Sequence, residues 1–261
     1  MTTPRPIQDR TLKALSLLLS YPTPALQRAM PDIGGVLAAE PRLTAATRRS
    51  LRPLVQDLGQ GDIYDLQERF VMLFDRSRSL SLNLFEHVHG ESRDRGGAMV
   101  ALLETYRAGG FEPATTELPD HLPVLLEFLS TCPFVESQET LADAAHIFEA
   151  LKARLSRRDS AYAAVFASLL QLAGARADRA AVQDLLDQPE VDPDDLDALD
   201  RVWEDSEVRF GPDPNAGCPA SRDMLARMEA PRNAPQTANR TANRTANRTA
   251  SQTAGPGVAA E

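Results

Sequence analysis

Apolar side chains recur every three or four positions along most of the chain, the spacing that places them on one face of an α-helix. Near the amino terminus, Leu12, Leu15 and Leu18 follow Asp9, a favoured N-cap residue, and Pro22 ends the pattern. No stretch shows the alternation of apolar and polar residues that is typical of a half-buried strand. The pattern predicts an all-α protein, a single helical bundle of about nine to ten helices.

The further helices are placed by the same spacing and by their start and stop residues. Gly96 and Gly97 would each weaken a helix, so we expect either a helix that begins after them or another backbone close to them. The predicted helices are 24–37, 44–58, one capped by Asp62, one from Ser92 or Gly97 to Gly109, one begun by Asp120, 139–155, one capped by Ser160, 182–186 and 193–203.

The last part of the chain has a different composition. Residues 231–261 consist mainly of Ala, Asn, Arg, Thr, Pro and Gln, and Thr-Ala-Asn-Arg occurs three times from Thr237. Such a segment has almost nothing to bury, so we expect a disordered tail. Residues 1–230 are then the all-helical domain.

The net charge of the chain limits the classes of molecule that it is expected to bind. The formal net charge is −9, and the stretch from Asp184 to Glu207 holds eleven acids and one base, Arg201. An acidic body repels nucleic acid and attracts basic or amphipathic peptides. For this particular stretch, a solvated acidic helix face is an equally good interpretation.

The chain shows no secretory signal and no window of about 18 apolar residues that could span a membrane. Its two cysteines, Cys132 and Cys218, make no disulfide framework. We therefore expect a cytoplasmic protein with no direct membrane insertion.

The stretch from Asp75 to Arg95 is far more polar than a buried core requires, and it predicts a linker with a binding surface. On an extended segment, His87 and His89 would point the same way, and Glu86 could add a ligand for a metal ion. No further Cys or His pair follows at a known spacing, and no nucleophile elbow or phosphate-binding loop is present. A small metal-dependent enzyme that uses the two histidines is the alternative function, and a helical adaptor without a groove is a third.

A second polar element lies at Leu118–Pro123. If Asp120 is an N-cap, Pro123 stands at the third helical position, where it offers no backbone N–H to the carboxylate. Asp120 then has acceptor capacity left for a ligand. A simple cap through the N–H of Leu122 explains the residue equally well.

These elements occur in an order that resembles a known family, the delta subunit or NarJ-type assembly chaperone of respiratory nitrate reductase, within the wider TorD/DmsD-like class. The resemblance covers about residues 8–218. It is carried by residues 17–22 (LLLSYP), 70–75 (FVMLFD), 84–96 (LFEHVHGESRDRG), 117–123 (ELPDHLP) and Trp203-Glu204.

The resemblance implies a TorD/DmsD-like helical chaperone that is neither an enzyme nor part of the final complex. It implies binding of the N-terminal segment of the immature catalytic (alpha) subunit. It also implies help with insertion of the molybdenum cofactor, bis-molybdopterin guanine dinucleotide, before membrane docking, with no cofactor bound stably by the chaperone.

The resemblance also implies a peptide site. Asp120 and His121 match the family's Asp-His element, and four further residues lie in the loop that corresponds to the family's central motif. Two aromatic residues are expected to supply apolar contact, and the histidines predict a change of affinity between about pH 6 and 7. The predicted site residues are Phe74, Phe85, Glu86, His87, His89, Arg93, Asp120 and His121.

Overall fold

The computed structural model describes residues 9–89 and 94–188 of the 261-residue chain. These ranges contain eleven α-helices and an isolated β-bridge, so the all-α prediction is confirmed, with slightly more helices than expected. No helix within them is both long and apolar enough to cross a bilayer. The helices are α1 (Arg10–Leu18), α2 (Pro24–Ala39), α3 (Ala45–Gln60), α4 (Ile63–Phe70), α5 (Leu84–His89), α6 (Asp94–Ala108), α7 (Leu122–Ser130), α8 (Phe134–Asp143), α9 (Ala145–Arg157), α10 (Ala163–Ala173) and α11 (Arg179–Leu186).

Several helix ends follow local sequence signals. The Asp9 side chain accepts hydrogen bonds from the N–H groups of Thr11 and Leu12, as predicted for the start of α1. Asp62 caps α4 in the same way, and Gly174 ends α10 with a positive φ of 64°. Caps act over three or four residues, which is why the sequence could locate these ends.

One predicted helix is divided in the structure. The predicted helix 139–155 is two helices, α8 and α9, that break at Ala144. The apolar spacing continues across this break, so the pattern alone does not reveal it. The predicted helix 193–203, with Trp203, and the tail 231–261 lie outside the described residues. The division of the chain after residue 230 therefore stays a prediction.

The core forms between helix pairs. α1 packs against α7, α2 against α3, and α9 against α10. The backbone N–H of Asp9 donates to the Ser130 carbonyl at 2.9 Å, and the Ser16 hydroxyl donates to the Pro123 carbonyl at 2.7 Å. These two bonds join α1 to both ends of α7, the helix that follows the Asp-His element.

A π-helical turn, Val71–Asp75, follows α4, and a 3₁₀ turn, Arg78–Leu80, follows the π turn. Phe74 of the π turn is buried against the ring of Tyr162, with the centroids 5.0 Å apart and the planes nearly perpendicular. The irregular stretch before α5 is thus anchored to the start of α10.

The two glycines of α6 were expected either to precede the helix or to lie close to another backbone, and both expectations are wrong. Gly96 and Gly97 lie inside the first turn of α6, and a Cβ atom on either would meet no atom within 4 Å apart from its chain neighbours and the backbone of its own helix. The helix persists because Leu102 and Tyr106 are buried, and this burial outweighs the low helix propensity of glycine. At the other end, a Cβ atom on Gly109 would lie 2.6 Å from the Phe128 ring.

These two environments predict opposite effects of the same substitution. Gly97→Ala should raise the free energy of unfolding by about 0.5–1 kcal/mol, because alanine restricts the unfolded chain and favours the helix. Gly109→Ala should lower it by about 1–3 kcal/mol, because the buried Phe128 ring must move. Urea denaturation of the two variants and the parent measures both values, and a stabilised Gly109→Ala would contradict the packing described here.

Candidate functional site

Two segments far apart in the sequence pair directly in the structure. The N–H of Leu84 donates to the Asp120 carbonyl at 3.2 Å, and the N–H of Leu122 donates to the Leu82 carbonyl at 2.8 Å. These bonds surround the antiparallel bridge between Asn83 and His121. We call the paired segments 82–85 and 120–122 the junction. The two polar elements singled out in the sequence therefore meet in space.

Asp120 holds the junction together from the inside. Its side chain is fully buried, and Oδ2 accepts a hydrogen bond from the Phe85 N–H at 2.9 Å, in the first turn of α5. The prediction that Asp120 is the N-cap of the following helix is wrong, because His121 occupies that position. The reason is that the Leu122 N–H already binds Leu82 and Pro123 has no N–H to offer.

The histidines lie on a helix rather than on an extended linker. Because residues two apart on a helix point about 200° away from each other, His87 and His89 do not share a face. His87 is buried, and its Nε2 lies 2.8 Å from the Ser81 carbonyl, which can only accept, so Nε2–H is the donor. His89 packs its ring edge-to-face with Phe85 at 5.8 Å.

This geometry bears on the alternative of a metal-dependent enzyme. Within residues 9–89 and 94–188, no group of three or more His, Cys, Asp or Glu side chains is arranged to hold a metal ion. His87 uses its Nε2 proton on a backbone carbonyl, and His89 lies on another side of α5. The described part of the chain thus supplies no ligand set for that alternative.

Three buried polar atoms at the junction make no hydrogen bond to any residue that the structure describes. They are Oδ1 of Asn83, Oδ1 of Asp120 and Nδ1 of His121. An unsatisfied buried polar group costs about 1–3 kcal/mol, so most such groups in proteins have a partner or bind something. Because three such atoms lie within one pair of segments, the junction is a place where a polar ligand can be bound.

Three acidic side chains lie near the junction or near one another. Partial desolvation raises the pKa of Asp75, an exposed residue, and the nearby Glu117 adds to the effect. Glu117 also acts on His121, where it opposes the lowering of the histidine pKa by burial. Glu86 is half-buried and pairs with Arg95 of α6 at 3.2 Å. We call Asp75, Glu86 and Glu117 the acidic rim.

The predicted site residues divide into two groups by burial. Phe74, Phe85, His87 and Asp120 are buried, so as placed here they support the site rather than offer a free surface. Glu86, His89 and His121 are half-buried and could be reached by a partner. Arg93 lies outside the described residues. Direct peptide contact stays a prediction for all eight.

Sequence reasoning missed Arg154, a buried residue of α9. Its guanidinium donates to the Ser79 carbonyl at 2.7 Å and to the Leu185 carbonyl. Arg154 therefore joins α9 to the stretch before α5 and to the end of α11. The one available signal was an arginine beside Leu151 and Leu155 on the apolar face of α9.

The burial of Asp120 predicts a pH effect on stability. Burial raises the pKa of Asp120 above its ordinary value of 3.8, although the Phe85 N–H opposes the shift. When a carboxyl has a higher pKa in the folded than in the unfolded protein, the folded state becomes less stable as the pH rises. The reason is that the folded state holds the proton more tightly than the unfolded state and must give it up. Relative to the parent, Asp120→Asn should therefore gain free energy of unfolding as the pH rises above about 4.

Urea denaturation at several pH values measures this gain. Asp62→Asn, at the exposed cap of α4, is the matched control for loss of a carboxylate at a helix start. If the two variants showed the same trend with pH, Asp120 would not be the buried carboxyl described here.

Comparison with known proteins identifies the family. The profile of the nitrate reductase delta subunit family matches residues 40–168. NarJ, the nitrate reductase molybdenum cofactor assembly chaperone of Escherichia coli K12, is 43% identical over 206 residues, which cover 79% of this chain and 87% of NarJ. NarW of the same strain is 39% identical over 211 residues, covering 80% and 87% of the two chains.

A solved structure of a candidate redox enzyme maturation protein from Archaeoglobus fulgidus is 25% identical, with a TM-score of 0.46, and covers 62% of this chain and 91% of its own. The relatives are assembly chaperones rather than enzymes. With NarJ matched at this identity over most of both chains, the chain belongs to the family of nitrate reductase molybdenum cofactor assembly chaperones.

Proposed function

We propose that this protein binds the N-terminal segment of the immature catalytic (alpha) subunit of nitrate reductase and promotes insertion of its molybdenum cofactor. The observation that carries the proposal is the 43% identity to NarJ along nearly its whole length. The protein acts in the cytoplasm before the reductase docks at the membrane, and it is not retained in the finished complex. The cofactor, bis-molybdopterin guanine dinucleotide, is loaded into the partner and is not held stably by the chaperone.

The junction is the proposed peptide site. A peptide segment has backbone N–H groups to donate, and the unsatisfied Oδ1 atoms of Asn83 and Asp120 can accept them. His121, which pairs with Asn83, and His89, which packs on Phe85, are half-buried and can contact the peptide side chains. Binding here would satisfy polar atoms that are otherwise costly to bury.

Charge supports the choice of a basic or amphipathic leader. The acidic rim places three carboxylates near the junction. Of these three, only Glu86 forms an ion pair within residues 9–89 and 94–188, with Arg95. Complementary charge speeds encounter and fixes orientation more than it adds affinity. Binding should therefore weaken as salt increases.

The buried members of the predicted site have a positioning role in this proposal. Asp120 and Phe85 fix the start of α5 against the segment 120–122, and His87 fixes its end on Ser81. Phe74 anchors the preceding turn on α10. Arg93, in the stretch between α5 and α6, stays part of the proposed site on the strength of the motif alone.

Removing the rim charges tests the peptide site. The double variant Asp75→Asn/Glu117→Gln should bind a synthetic peptide from the catalytic subunit's N terminus about three- to tenfold more weakly at low salt, because each exposed pair contributes about 0.2–1 kcal/mol. Isothermal titration calorimetry measures the dissociation constant. Glu139→Gln, an exposed acid on α8, is the matched control and should bind as the parent does. Equal affinities in all three proteins would count against the rim as part of the site.

The pH dependence of binding is expected at lower pH than the sequence predicted. Burial lowers the pKa of both His87 and His121 below the ordinary value of 6.5, so both side chains are mostly neutral above that pH. As the pH falls further, protonated His121 adds positive charge beside the acidic rim and repels a basic peptide.

Affinity should thus be constant near neutral pH and fall below about pH 6, and His121→Gln should lessen the fall. Calorimetry across this range measures it. A transition centred above 6.5, or one unchanged in His121→Gln, would contradict the assignment.

A further inference from the structure

A second surface lies between α2 and α3, and none of its residues belongs to the junction. The two helices enclose a groove of about 570 Å³ that is lined by residues 27–60 only. The helices approach closely at glycines: a Cβ atom on Gly34 would lie 3.1 Å from Val55, and one on Gly59 would lie 3.2 Å from Met30. The apolar part of the groove is formed by Met30, Leu37, Leu51 and Val55.

The charge of this groove is opposite to that of the whole chain. Three arginines line it, Arg28, Arg48 and Arg52, and no acidic residue does. Arg48 is fixed in place because it donates to the Glu40 and Leu43 carbonyls at 2.6 and 2.9 Å. Arg28 and Arg52 are exposed and form no hydrogen bond or ion pair with other described residues. An apolar floor with a cationic edge fits an acidic amphipathic segment.

We propose that this groove receives the acidic segment 189–207 of the same chain. That segment contains nine acids and one base, so its charge complements the three arginines. Leu196, Leu199 and Trp203 recur at the spacing of one helix face, and Pro193 suits a first helical turn. The apolar face enters the groove while neighbouring aspartates meet the arginine side chains.

The segment is long enough to reach the groove. It continues from Gln188, just after α11. The five extended residues to Pro193 span up to about 17 Å, and the ten helical steps from Pro193 to Trp203 add about 15 Å. α11 packs on α9, α9 on α10 and α10 on α3. At roughly 8–10 Å for each neighbouring pair, the path from α11 to α3 is about 30 Å.

The covalent connection makes weak contacts sufficient. A tethered segment has an effective concentration on the order of millimolar, so modest ion pairs and a small apolar face can keep it bound. An acidic partner from another protein would have to displace it. The inference concerns only α2, α3 and this segment, so it does not rest on the proposed peptide site.

Trp203 reports on this contact in the full chain because it is the only tryptophan. In the parent, its fluorescence should be blue-shifted and protected from acrylamide. In the double variant Arg28→Glu/Arg52→Glu, the emission should move to the red and quenching should increase, since each charge reversal lowers the docked-to-undocked ratio about fivefold. High salt should shift the parent in the same direction.

Arg49→Glu is the matched control. Arg49 is an exposed arginine of α3, as Arg52 is, but it does not line the groove. This variant should leave the emission and the quenching unchanged. Because the substituted residues Arg28, Arg49 and Arg52 are all exposed, helical content measured by circular dichroism should stay constant. Adding Asp197→Arg/Asp200→Arg to the double variant should restore the blue-shifted emission by exchanging the two charges.

Two results would overturn the proposal outright. One is a double variant with the same spectrum and quenching as Arg49→Glu and the parent. The other is a red shift that the exchanged charges do not reverse. An emission maximum that depends on protein concentration would place the segment of a second copy in the groove, and would overturn the intramolecular contact.

Discussion

The hydrogen bond from the Phe85 N–H to the buried Asp120 carboxyl is the contact on which the candidate site depends. It joins the first turn of α5 to Asp120, which precedes the N-cap of α7, and the two partners are 35 positions apart in the sequence. Two backbone bonds flank it, and α7 is held in turn by α1. The same carboxyl keeps one oxygen without a partner among described residues, so one group both fixes the backbone and offers an acceptor. A ligand that uses this acceptor would meet an already organised surface.

The protein separates its charges between two surfaces. The acidic rim lies near the junction, whereas the groove between α2 and α3 carries arginines and no acid. Opposite charges on one small domain favour different partners at each surface and discourage exchange between them. A basic leader and an acidic segment can thus be bound by the same molecule without competing for one site.

Roles that depend on nearby residues were predicted correctly from the sequence, and roles that depend on distant residues were not. Asp9, Asp62 and Gly174 act on neighbours within four residues, and their roles were predicted correctly in kind. Asp120 was predicted to cap α7, but its carboxyl accepts the Phe85 N–H of α5, 35 positions away. The Leu122 N–H, which would have been its partner in α7, donates to the Leu82 carbonyl instead. His87 and His89 were placed on one face because a polar stretch resembles a linker, although Leu84, Phe85 and Val88 were enough to make it a short helix.

The sequence by itself determined the helical class, most helix positions, the excess of negative charge and the family to which the chain belongs. Those properties follow from spacing, caps and motifs, which act over a few residues or do not depend on geometry at all. Only the tertiary structure decided that Phe74, Phe85, His87 and Asp120 are buried while His121 and Glu86 reach the surface. Burial and hydrogen-bond partners depend on how distant segments meet, and no local pattern records that meeting.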